Sequence, residues 1–213
     1  MSAYDFSDIQ AQINEIDSED DDEIRVLREI LYASTIDHKK VIITITTLKA
    51  AHIYCVIQRV SAQQFGSLIQ NYIIKKFNYI KHKPSDRNGD CSKAGINYEI
   101  KVSFGGIKFN EFNYVQIRPS HNINAYILTA YHLDESSLKD KGKVFIFIIS
   151  KTDMNTLLMS YGSYAHGCKG EHGPITLEDL INPENKKEYA LRPVYGDACW
   201  EALLPYEIQE SAL

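Results

Sequence analysis

Apolar residues recur at helical spacing in the first third of the chain. Over residues 23–34 they fall at Ile24, Leu27, Ile30 and Leu31, which predicts an amphipathic helix. Residues 37–60 carry two signals. The run VIITITT favours a strand, whereas LKAAHIYCVIQRV has helical periodicity, and a long buried helix is the expectation for the whole stretch. Ser61 then stands where an N-cap would, ahead of a helix through Phe77. The apolar stripe of that helix is Phe65, Leu68, Ile69, Tyr72 and Ile73, continued by the stem of Lys76.

Beyond Phe77 the pattern changes. Residues 96–104, INYEIKVSF, alternate apolar and polar, as a half-buried strand does. A second strand is predicted over 112–118, a helix over 124–133, and a strand in the nearly continuous apolar run KVFIFIIS, 143–150, as in the centre of a sheet. Residues 161–174 are rich in glycine and polar groups and suggest a functional loop. A short helix follows over 176–182, and WEALLPY lies near the end. The order helix, strand, strand, helix, strand predicts an α/β fold: a mixed central sheet flanked by helices, with an N-terminal helical extension. Residues 1–22 are expected to be an acidic, partly disordered lead-in, with 17–23 mobile. Residues 23–213 should form one domain: a helical part (23–80), an α/β core (61–150) and a C-terminal loop and helix region (151–213).

Charge changes the picture through its distribution. The net charge of −5 argues against a polyanion partner, but residues 1–24 hold nine acids and no Lys or Arg. Setting those nine aside leaves 19 acids against 23 bases, a net of +4, and from Arg59 to Arg118 ten bases face four acids. A local positive patch of this kind is what a polyanion needs. No apolar run is long enough to cross a membrane, and the start of the chain does not read as a secretory signal. Cys55, Cys91, Cys168 and Cys199 are scattered, as reduced thiols of a cytoplasmic protein would be. The spacing of His166, Cys168, His172 and Cys199 is irregular for a zinc site.

The chemistry concentrates in NGDCSKAGINYEIKVSF. Strand alternation puts Glu99 and Lys101 on one face with Asn97 and Ser103, and Ile96, Tyr98, Ile100, Val102 and Phe104 on the other, toward the core. A tight turn at Lys93-Ala94-Gly95 can fold Asp90 back beside Glu99. Two carboxylates and an ammonium then project from one sheet edge. Mg²⁺ prefers such hard oxygen ligands. Asp90 and Glu99 would hold it, with the Ile100 carbonyl completing the shell, and Lys101 would orient a water and stabilise developing charge. An acid-x-Lys pair on a strand is by itself usually a solvated pair, and Asp90 after Asn88-Gly89 could be only a turn residue. The helix before it and the strands after it give the motif its weight.

From Ser61 to His132 the chain resembles the core of the PD-(D/E)xK nuclease superfamily, and within it the type II restriction endonucleases. Asp90 matches the first acid, Glu99 the second and Lys101 the lysine. Gln70, in QQFGSLIQNYI, stands where the family helix often carries Glu, and Gly89 stands in place of the motif's Pro. The resemblance implies Mg²⁺-dependent hydrolysis of double-stranded DNA at a specific short sequence, leaving 5′-phosphate and 3′-hydroxyl ends, with Gln70 assisting Asp90, Glu99 and Lys101. It also implies Gln116 and Arg118, with His121 in the same segment, near the DNA backbone. His166 and Lys169 on the glycine-containing loop suit DNA contact. One small chain carries one site, so cutting both strands calls for a homodimer or a partner subunit. A bacterial host and a companion DNA methyltransferase follow from the restriction reading. Two alternatives remain: a DNA repair or structure-specific nuclease of the same fold, and a non-catalytic DNA-binding subunit.

Overall fold

The computed structural model describes residues 37–84, 86–106, 110–165 and 173–213. The lead-in and the helix expected over 23–34 lie outside them. Among the described residues three helices come first: α1 (His38–Ile42), α2 (Leu48–Ile57) and α3 (Ala62–Lys76). The long helix expected over 37–60 is therefore broken. Ile43, Thr44, Ile45, Thr46 and Thr47 form a β-branched run, which propagates a helix poorly. Thr47 caps α2 through Ala50 N–H, at 3.1 Å. Ser61 caps α3 in a full capping box with Gln64, and Leu68, Ile69, Tyr72, Ile73 and Ile74 form the buried stripe of α3.

The central sheet has five strands: β1 (Ile80–Lys81), β2 (Cys91–Lys93), β3 (Ile96–Gly106), β5 (Ala125–Leu133) and β6 (Lys143–Ser150), in the order β1-β2-β3-β5-β6. Strands β3 and β5 run parallel and the other neighbours antiparallel, so the sheet is mixed. A second sheet, β4-β8-β7, joins β4 (Tyr114–Ile117), β8 (Tyr189–Leu191) and β7 (Gly162–Tyr164). Helices α4 (Lys151–Tyr161), α5 (Leu177–Ile181) and α6 (Ala198–Leu203) complete the elements used below.

Three expectations are corrected. Residues 124–133 are strand β5, not a helix. Every residue of β5 is buried, because both faces of the sheet are covered. Ile127, Tyr131 and Leu133 pack with α1–α3, and Tyr126, Leu128 and Ala130 with the second sheet, α4 and α6. Burial on both faces erases the period of two that would mark a strand. The run 143–150 is a strand, but it is an edge strand, apolar because it too serves both clusters, with Ile146 on one side and Phe147 and Ile149 on the other. Strand β4 belongs to the second sheet rather than the central one.

The C-terminal residues bind the helical layer and β6. Ile208 N–H donates to Ile146 O at 2.8 Å, Leu213 is buried in the helical cluster, and Tyr79 Oη donates to Leu213 O at 3.0 Å. The Glu210 carboxylate accepts from Leu48 N–H at 2.8 and 2.9 Å and from the Tyr72 hydroxyl at 3.1 Å. An anion at that position complements the N-terminus of α2. No helix among the described residues is long and apolar enough to cross a membrane.

Candidate active site

The candidate site starts from a turn. Asp86 Oδ1 accepts from Asn88 N–H (2.9 Å) and Asn88 Nδ2 (2.7 Å), which starts the chain turning. Gly89 follows with φ +78°, and a Cβ there would lie 2.6 Å from Tyr98 O. Proline, locked near φ −65°, cannot adopt this backbone. A proline is thus excluded at this position by conformation. His82 braces the same turn: its Nδ1 lies 3.2 Å from Asn88 O and 3.3 Å from Gly89 O, its Nε2 3.0 Å from Ser92 Oγ, and its backbone N–H donates to Asp90 O at 2.9 Å.

Strands β2 and β3 are joined through Ala94 (φ 51°) and Gly95 (φ 80°), the left-handed pair of a two-residue hairpin turn. The register sets Cys91 opposite Tyr98 and Lys93 opposite Ile96. Asp90 N–H donates to Tyr98 O at 2.9 Å, which extends the pairing and brings Asp90 alongside Glu99. Its Oδ2 then accepts from Ile100 N–H at 2.8 Å. The N–H and C=O of one strand residue point to the same side, so the Ile100 carbonyl also faces this edge, beyond the end of β2.

Lys101 Nζ donates to Glu99 Oε1 at 2.7 Å, with side chains only 15% and 11% exposed. These residues share the sheet face that carries Tyr126 and Leu128, so the pair is sunk against the second core cluster and is not a solvated surface pair. Ser103 on the same face is buried and accepts from Asn113 N–H at 2.8 Å. Burial pushes the Asp90 carboxyl up to about 6, and the Glu99 charge adds to the effect. The Ile100 N–H, the Lys101 ammonium and a hydrogen bond from the Gln70 side chain pull the other way. Gln70 on α3 therefore donates its amide to Asp90. A buried carboxylate pair short of positive charge, with a carbonyl beside it, is an all-oxygen donor set that fits a hard divalent cation. Among the described residues no group of three or more His, Cys, Asp or Glu could hold a metal, so carboxylates alone would not saturate an ion here.

The remaining expected site residues divide. Burial lowers the pKa of His121, and Arg118, Arg87 and Lys101 lower it further against an opposing Glu99, so this loop histidine stands within electrostatic reach of the site. Arg118 is engaged elsewhere: Nε donates to Glu188 Oε1 at 2.7 Å and Nη2 lies 2.5 Å from the same oxygen. Gln116 is exposed with φ 57°, at an irregularity between Tyr114 and Ile117, and this breaks the alternation that would align it with Arg118. His166 and Lys169 lie outside the described residues. Two features were missed. One is Arg87, in the basic patch just before the turn, whose Nη2 lies 3.4 Å from Ser120 O. The other is an asparagine network. Asn88 Oδ1 accepts from Asn122 Nδ2 (2.7 Å) and Asn97 Nδ2 (3.4 Å), while Asn124 Oδ1 accepts from Asn97 N–H (2.9 Å). Its signal was four asparagines, at a predicted turn, a strand start, a connection and the start of an expected helix, which becomes legible only once the segments are paired.

No family model, no curated protein and no solved structure matches this chain.

Proposed function

We propose that the protein is a Mg²⁺-dependent endonuclease of the PD-(D/E)xK kind, hydrolysing phosphodiester bonds of double-stranded DNA. The observation that carries this reading is the meeting of Asp90, Glu99 and Lys101 at one partly buried sheet edge. There Asp90 is held charged only with difficulty, while Lys101 compensates Glu99. Mg²⁺ supplies charge neutralisation and Lewis acidity to the phosphate when bound. Asp90 is oriented by Ile100 N–H and by Gln70, and it presents its carboxylate to the same space as Glu99. With the Glu99 charge compensated by a bound cation, the Lys101 ammonium would donate to a non-bridging phosphate oxygen and align the attacking water. Water oxygen bonds to phosphorus and releases a proton to solvent, the bond to the 3′ oxygen breaks with its electron pair, and that oxygen takes up a proton from solvent. The ends are a 5′-phosphate and a 3′-hydroxyl.

The finer proposal is a type II restriction enzyme: sequence-specific, acting as a homodimer or with a partner subunit, in a bacterial cytoplasm with a companion methyltransferase. Digestion of a sequenced plasmid with and without Mg²⁺, followed by end mapping, tests it. Discrete fragments with a shared terminal sequence are expected. Cleavage without a recurrent sequence would favour a repair or structure-specific nuclease. No Mg²⁺-dependent cleavage would overturn the enzyme reading in favour of a DNA-binding subunit.

A further inference from the structure

Beside Glu99 in the parallel ladder stands Tyr126, its register partner on β5. The two side chains share one sheet face, since Tyr126 and Leu128 belong to the cluster that Glu99 and Lys101 face. Tyr126 is fully buried, and its hydroxyl has no hydrogen-bond partner among the described residues. A phenylalanine would fill the same space without burying an unsatisfied O–H, which costs free energy wherever it occurs. The ring therefore carries a polar atom that its own packing does not use. The charge nearest in register is the Glu99 carboxylate, which is close enough to raise the phenol's pKa, after the larger effect of burial. Lys101 occupies one oxygen of Glu99. No hydrogen bond to the other is found among the described residues.

We propose that Tyr126 is a positioning residue of the site. Its hydroxyl is the donor that holds the Glu99 carboxylate, directly or through one enclosed water, when a divalent cation displaces Lys101 from it. The inference rests on the divalent-cation reading above, and it adds a residue outside the Asp-Glu-Lys motif. Carboxylates that ligate metals are themselves held by hydrogen bonds, and loss of such a partner weakens cation affinity roughly 10- to 100-fold.

The test uses the full chain without DNA. Mg²⁺ and Mn²⁺ binding is measured by calorimetry for wild type, Tyr126→Phe and Glu99→Gln. Wild type is expected to bind, Glu99→Gln to lose binding, and Tyr126→Phe to bind roughly 10- to 100-fold more weakly while melting no lower than wild type. In a second measurement, 3-fluorotyrosine is placed at position 126 and its ¹⁹F resonance is followed through a Mg²⁺ titration. It should move with the calorimetric midpoint, whether or not the Phe chain folds. Unchanged affinity in Tyr126→Phe, or a ¹⁹F resonance that ignores Mg²⁺, overturns the role of Tyr126 and leaves the metal site standing. Absence of cation binding by wild type overturns both.

Discussion

Replacing Asp90 by Asn should make the cation-free protein more stable while removing its proposed chemistry. Asparagine retains an acceptor for Ile100 N–H, and its amide turns the repulsion with Glu99 into attraction. The folded pKa of Asp90, about 6, lies above its ordinary value of 3.8. The folded state thus binds this proton more tightly than the unfolded state. The associated stability is lost as pH rises from near 4 to near 6, and the full penalty persists above that. A shift of about 2 units corresponds to roughly 3 kcal/mol at most, and relaxation around the variant brings the expectation to about 1–3 kcal/mol. For a chain of this size that is a rise in Tm of roughly 3–10 °C. Thermal melts in EDTA near pH 7.5 should show it, and the gap should narrow steadily as pH falls from about 6 toward 4. Mg²⁺ should stabilise wild type and leave the variant unmoved, by mass action. A variant that melts at or below wild type near neutral pH, or a gap that does not change with pH, would refute the reasoning.

Three further outcomes are expected. Lys101→Ala should lower cleavage at saturating Mg²⁺ by about 100- to 1,000-fold or more, yet leave DNA affinity in Ca²⁺ nearly unchanged; cleavage near the wild-type rate would remove Lys101 from the site. Gly89→Ala must place a Cβ against Tyr98 O at a left-handed φ, which costs about 1–2 kcal/mol in backbone strain alone. It should displace Asp90 and cut activity about 100-fold, with denaturant melts and Mg²⁺-dependent kinetics read together. Glu210→Ala removes the carboxylate that accepts from Leu48 N–H and Tyr72 Oη. It should lower stability by about 2–3 kcal/mol in chemical denaturation, whereas a midpoint unchanged from wild type would show that water replaces the cap.

Local chemistry alone determined much of this protein. Ser61 with Gln64, and the stripe from Leu68 to Ile73, specify α3 because caps and periodicity act within a few residues. The alternation in residues 96–104 specifies β3 and the shared face of Glu99 and Lys101 for the same reason. Gly95 marks the hairpin that carries Asp90 back to Glu99, because glycine accepts left-handed φ without strain, while Ala94 is held at φ 51° by the pairing of the two strands. Tertiary structure decided the rest, where the relevant partner is distant in the chain. Residues 125–133 are a strand because two layers cover both faces, and burial on both sides leaves no period to read. Arg118 turns to Glu188, Gln70 to Asp90 and Glu210 to the start of α2, each across a separation that spacing cannot encode. Asp90 resists ionisation because folding removes water from it and sets Glu99 beside it, a property of the assembled edge and of no single segment.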